Sequence, residues 1–186
     1  MATRPKSDLT VEDYLKHYEG AKGRYELVDG QVVKMAAETN RHAMLKGNVY
    51  FALRQAVQKS KTGCIVMPDG ATVRISANTA REPDVAVQCG TPIDPKSLLL
   101  SSPTIVVEVV SPSSGRIDSD HKLAEYFSVP SIMHYLIVWP DKRYCYHHKR
   151  IDNDKVLTTI VRSGMIEFDP PNITISIEDI FGGAGR

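Results

Sequence analysis

Hydrophobic and polar positions change period several times along the chain, and each change marks an element. Val11, Tyr14, Leu15 and Tyr18 keep helical spacing behind Thr10 and Asp13, which have the offset of a capping box, until Gly20 stops the run. Residues 24–28 and 31–35 flank Asp29-Gly30, a dipeptide suited to the positive φ values of a type I′ turn, so they predict a hairpin. From His42 to Lys59 the apolar residues Leu45, Val49, Ala52, Leu53, Ala56 and Val57 form one stripe for packing on a sheet. Lys46, Arg54 and Lys59 are expected to face out. Residues 64–67 and 71–75 around Asp69-Gly70, the run from Asp84 to Val87 and the run 104–110 supply the strands of a central sheet. Ser111-Pro112-Ser113-Ser114-Gly115 then breaks the chain, and residues 117–127 resume helical spacing through Leu123, Ala124 and Phe127. Residues 135–139 read as a buried strand, 143–148 and 156–162 as an antiparallel pair, and Ile173, Ile175 and Ile177 as a final edge strand. The sum is an α/β fold: a mixed central sheet flanked by helices 43–59 and 117–127, with added antiparallel hairpins.

Composition narrows the class. A chain of 186 residues with 42% hydrophobic and 24% charged residues has enough apolar material for one core, and no linker or repeat divides it, so a single domain over 1–186 is expected. The formal net charge of +1 lacks the basic excess of a general polyanion binder, which makes any polyanion site local and metal-assisted. Cys64, Cys89 and Cys145 cannot all pair and show no C-x-x-C spacing, so reduced thiols and a cytoplasmic setting are expected. No apolar run follows Arg4 and Lys6 or approaches membrane length, so neither export nor membrane insertion is indicated.

The residue that changes the picture is Glu108. It stands inside Thr104-Ile105-Val106-Val107-Glu108-Val109-Val110, where an ionised carboxylate must find a cation, donors or a proton to offset the several kcal/mol it costs to leave water. Asp84 opens the neighbouring β-prone run directly after Pro83, and residues 90–103 are long enough to join the two as antiparallel strands. Strands lie about 4.8 Å apart, so two acids on one face can share a divalent ion. Oxygen donors favour a hard cation such as Mg2+, with Mn2+ as the alternative, over zinc. Cys145, His147 and His148 lack a fourth ligand for zinc and are read as surface residues of a polar hairpin strand.

Pro83-Asp84, Glu108-Val109-Val110 and the helix after Ser111-Pro112-Ser113 resemble the PD-(D/E)XK nuclease superfamily. The closer resemblance is to its Uma-type restriction endonuclease family. It runs from Tyr25-Glu26-Leu27-Val28-Asp29-Gly30 through Arg41-His42, Pro83-Asp84-Val85, Val107 to Ser113, Asp118, Lys122 and Tyr126 to Tyr135-Leu136-Ile137-Val138. The superfamily's lysine normally stands two residues after the second acid, where this chain has Val110; the resemblance implies Lys122 as its substitute. It further implies hydrolysis of DNA phosphodiester bonds by a homodimer. Asp84, Glu108 and the Val109 carbonyl would hold one or two Mg2+ ions, and Lys122 would face the phosphate. Glu26 and His42 are carried over from the same pattern as further catalytic residues. The bland alternatives are a solvent-facing Glu26, an exposed first-turn His42, an exposed Asp118–Lys122 pair, and a Glu108 ion pair with Arg74, Arg116 or Lys122. A non-catalytic nucleic-acid- or protein-binding member of the same fold is the alternative function.

Overall fold

The computed structural model describes residues 9–18, 22–110 and 116–182, with residues 18 and 116–120 described in their backbone only. The first elements are α1 (Val11–Tyr18), β1 (Tyr25–Val28), β2 (Gln31–Lys34), α2 (Asn40–Ser60), β3 (Ile65–Pro68), β4 (Val73–Arg74), β5 (Ala80–Arg81) and β6 (Val85–Gln88). They are followed by β7 (Pro103–Val109), α3 (Arg116–Ser128), β8 (His134–Trp139), β9 (Tyr144–Arg150), β10 (Val156–Val161), β11 (Met165–Phe168), β12 (Ile173–Ser176) and α4 (Ile177–Phe181).

Among the described residues the main sheet has six strands in the order β10-β9-β8-β7-β6-β3. Only β7 and β8 run parallel, and α3 lies between them in sequence, as a parallel connection requires. This is the mixed sheet with flanking helices that the sequence predicts. Alternation along β7 sorts its residues between two cores. Ile105, Val107 and Val109 join Leu45, Val49 and Leu53 of α2, whereas Val106 joins Tyr126 of α3 with Ala86, Tyr135 and Ile137. Each fully buried side chain of this kind contributes roughly 1.5–3 kcal/mol. Glu108 has the parity of Val106 and therefore belongs to the α3 face.

The first hairpin forms as expected, with Asp29 at φ 47° and Gly30 at φ 73°. The capping box of α1 is also present, with Asp13 N–H donating to Thr10 Oγ1 at 3.1 Å. Gly20 and the segment 111–115 lie outside the described residues.

Five expectations need correction. Residues 71–75 do not join the main sheet: β4 pairs with β5 in a four-stranded sheet of order β2-β1-β5-β4, so the chain changes sheets at Asp69-Gly70. The tail is not an edge strand of that sheet; β12 pairs with β11 alone, and Ser176 caps α4, which takes Ile177 into a helix. Lys46 is buried rather than outward. Cys145, His147 and His148 are buried too, with His147 Nε2 2.9 Å from His134 Nδ1. Finally, Cys64 and Cys89 form a disulfide across β3 and β6 and only Cys145 is free, which removes the thiol argument for a cytoplasmic setting. Among the described residues no helix is long and apolar enough to cross a membrane.

Candidate functional site: a cleft of carboxylates and buried lysines

Val85 pairs with Val107, and extending that antiparallel register by one residue sets Asp84 opposite Glu108. Both acids line one cleft of about 320 Å³, together with Glu26, Glu38, His42, Arg81, Val109 and Lys122. β7 brings Glu108 and Val109, β1 brings Glu26, β5 brings Arg81, the start of α2 brings His42, and α3 brings Lys122.

Glu108 is 14% exposed, and its Oε1 accepts from Tyr126 Oη at 2.7 Å and from Lys122 Nζ at 3.0 Å. Burial, reinforced by the charges of Asp84 and Glu26, pushes its pKa up to about 7, although the Lys122 ammonium pulls the other way. Glu26 shares Lys122 at 3.4 Å and receives Arg81 Nη1 at 2.9 Å and the Glu82 N–H at 3.2 Å. Burial would raise its pKa, but Lys122 and Arg81 outweigh that and hold it below the ordinary value. Arg81 also clasps Glu125 with two bonds, Nε to Oε2 at 2.7 Å and Nη2 to Oε1 at 2.8 Å.

Asp84 is anchored differently. Its Oδ2 accepts the Val109 N–H at 2.7 Å, and burial keeps its pKa above the ordinary value despite that bond. The Val109 carbonyl accepts from His42 Nε2 at 2.6 Å, so this one residue of β7 ties Asp84 and His42 together through its backbone. Thr39 caps α2 by accepting the His42 N–H at 3.2 Å, which fixes where the imidazole begins. Lys46, one turn further along α2, places Nζ 2.6 Å from Glu38 Oε2, 2.7 Å from Asp69 Oδ2 and 3.7 Å from Asp84 Oδ1. Arg24 adds a second cation, pairing with Glu38 and with Glu82.

The structure thus gathers every site residue singled out in the sequence: Glu26, His42, Asp84, Glu108, Val109 and Lys122 share one cleft. The bland alternatives for Glu26 and His42 fail, because both are buried. The ion pair between Glu108 and Lys122 is present inside the same cleft, and the Asp118 side chain lies outside what is described. Sequence reasoning missed Glu38, Lys46, Arg81 and Arg24. A signal for Lys46 existed: His42, Lys46, Val49 and Leu53 fall at i, i+4, i+7 and i+11, on one helical face.

Known proteins resemble this chain over nearly its whole length. Two uncharacterized proteins of Synechocystis sp. are 27% identical over 183 residues, covering 96% of this chain and 94% of the other, and 25% identical over 167 residues, covering 86% and 92%. A crystal structure described as that of a "putative nuclease belonging to DUF820" from Anabaena variabilis superposes with a TM-score of 0.73 at 12% identity, over 93% of this chain and 97% of that one, which shows a shared fold. A family profile matches from residue 11 to residue 182, and the chain belongs to that family, Uma2, described as "Putative restriction endonuclease".

Proposed function

We propose that the protein is a divalent-metal-dependent DNA endonuclease, a single nuclease domain acting as a homodimer. The observation that carries this reading is the shared cleft of Asp84 and Glu108, in which each acid is fixed through one oxygen, Oδ2 and Oε1, while the other oxygen accepts no hydrogen bond from a described residue. The site fits a hard cation on electrostatic grounds. Four carboxylates line it, and burial raises the pKa values of Asp84 and Glu108, so a bound cation would offset what their ionised forms lose on leaving water. Asp84, Glu108 and the second lone pair of the Val109 carbonyl would hold Mg2+, or Mn2+ in its place. Such an ion lowers the pKa of a bound water and offsets charge on the scissile phosphate.

The chain's own groups supply the rest. Lys122, steered by Glu108 and Glu26, presents a fixed ammonium for phosphate charge in place of the lysine absent at Val110. Glu26 holds that lysine, and Arg81 holds Glu26. His42 fixes the Val109 backbone and with it the Asp84 carboxylate. The family description and the resemblance of the motifs support nucleic acid as the substrate.

A second reading, a non-catalytic nucleic-acid- or protein-binding member of the fold, draws on the lysines that already neutralise Glu108 and Glu38. A plasmid assay separates the two. The parent protein with Mg2+ or Mn2+ is expected to nick and linearise supercoiled DNA, chelation is expected to stop it, and Asp84→Ala is expected to be inactive. Intact DNA in every arm would support the second reading, and cleavage of RNA alone would move the substrate class.

A further inference from the structure

The rim of the cleft facing α2 holds a donor set of which the proposed hydrolysis uses only Asp84 as a ligand. Glu38, His42 and Asp84 each offer one ligand atom within 4.8 Å of the others. The imidazole settles which nitrogen is available. A carbonyl only accepts, so His42 Nε2 must carry the proton it gives to Val109 O at 2.6 Å, and in the neutral ring the lone pair is therefore on Nδ1. That Nδ1 is buried, on a side chain 9% exposed; it has no hydrogen-bond partner among the described residues and lies 3.5 Å from Glu38 Oε2. Asp84 Oδ2 lies 3.7 Å from the Nε2 side of the same ring. A ring nitrogen tied to a main-chain carbonyl while the opposite nitrogen faces a carboxylate, here Glu38, is the arrangement by which proteins orient an imidazole for a metal.

We propose that Glu38, His42 and Asp84 form a second cation position, of mixed nitrogen and oxygen donors, that takes a first-row transition metal in preference to Mg2+. Imidazole suits transition metals, whereas Mg2+ prefers oxygen and keeps its waters. Lys46 neutralises these acids when the position is empty, since its ammonium contacts Glu38 and approaches Asp84, with Arg24 as a second cation on Glu38. On metal entry it retains Asp69 at 2.7 Å and does not become an isolated buried charge. Asp84 would then serve both positions, so the inference rests on the nuclease reading for its purpose but not for its chemistry.

The experiment uses Mn2+ as the probe and the intact chain carrying Glu108→Gln, which disables the first position. Electron paramagnetic resonance is used to titrate free Mn2+, and electron spin echo spectra of the bound ion are recorded for 14N coupling. The expected result is bound Mn2+ with nitrogen coupling, and a Mg2+ affinity at least ten-fold weaker by competition. His42→Ala is expected to abolish the coupling, and His42→Ala and Glu38→Gln each to weaken Mn2+ binding by roughly ten-fold or more, the lower end of what even supporting partners contribute. Lys46→Gln is expected to tighten binding, because a competing charge is removed. Glu38 is partly exposed, so its variant keeps the test available if His42→Ala does not fold. Bound Mn2+ without nitrogen coupling, or binding indifferent to Glu38→Gln, overturns the inference. If that happens while the parent still cleaves plasmid, the nuclease reading stands and the second cation position alone falls. Nitrogen-coupled Mn2+ in a protein that cleaves nothing upholds the second position and removes the nuclease reading.

Discussion

The two halves of the cleft hold their acids by different means. On the α3 side Glu108 is positioned by side chains, Tyr126 and Lys122, the second of which is tied through Glu26 to Arg81 in a buried chain of alternating charge. On the α2 side Asp84 is positioned by the main chain, through the Val109 N–H, with His42 braced on the same residue's carbonyl. The contrast teaches where each half is vulnerable. A strand backbone survives substitution of its own side chain, so Asp84 keeps its place under most changes around it. Glu108 depends on a network in which removal of one member strands the next, and an orphaned buried charge costs more than the pair contributed.

Arg81→Ala should break the α3 half most severely. It leaves Glu26 with Lys122 and the Glu82 N–H and frees Glu125 from a two-bond clasp, and the expected loss is about 3–5 kcal/mol in denaturant unfolding. A loss below about 1 kcal/mol would mean that the charge chain is not what holds this half.

Glu108→Gln sharpens the comparison in the opposite direction. The folded-state pKa of Glu108, about 7, lies above the ordinary 4.5, so the acid contributes favourably while protonated, and that contribution is lost as pH rises through 7. Without added metal, parent and variant should be equally stable near pH 4.5, and at pH 8 the variant should be more stable by about 1–3 kcal/mol, because Lys122 still has Glu26. Melting curves at the two pH values decide this; a variant destabilised equally at both would show that the charge is fully compensated. Under the proposed function the same variant should not cleave DNA.

Tyr126→Phe removes one donor from Glu108 and leaves the ring packed in the α3 core, so a loss of about 1–2 kcal/mol is expected at pH 8. The titration of Glu108, followed by carboxyl NMR shifts, should move further upward. An unchanged midpoint would assign the positioning of Glu108 to Lys122 alone. The smallest effect is expected at the cleft's exterior, where Arg41 pairs with Asp141 in the open: Arg41→Ala should stay within about 0.5 kcal/mol of the parent in the same unfolding measurement.

Local and one-faced features were readable from the amino acids. Asp29-Gly30 set the first hairpin because its backbone angles are a property of the dipeptide itself, and Glu108 stood out because an acid in a run of valines and isoleucines has no bland explanation. Asp84 could be matched to it because alternation puts residues of like parity on one face. What escaped the pattern was polar burial. Lys46 lies on the apolar side of α2, but a hydropathy stripe counts only apolar members, so a lysine that turns inward to meet Glu38 and Asp69 was assigned to the outside. Glu38 sits in a loop without period, and Arg81 gives no hint in sequence that its partners lie on β1 and α3. The switch of sheets at Asp69-Gly70 escaped for a related reason: turn chemistry says that the chain reverses, not which neighbour it then finds.

The ribbon of β11 and β12, with α4, packs beside α2 on the same face of the main sheet, with Phe168 against His134 and His147, and Asn48 of that helix donates to the Ile180 carbonyl at 3.0 Å. These segments are translated after every strand of the main sheet. On the ribosome, therefore, the helix that carries His42 and Lys46 has the sheet beneath it complete while the place of the ribbon beside it is still bare. A message cut short after β10 would yield a protein in which both acids are encoded but the wall behind one of them has nothing to lean on.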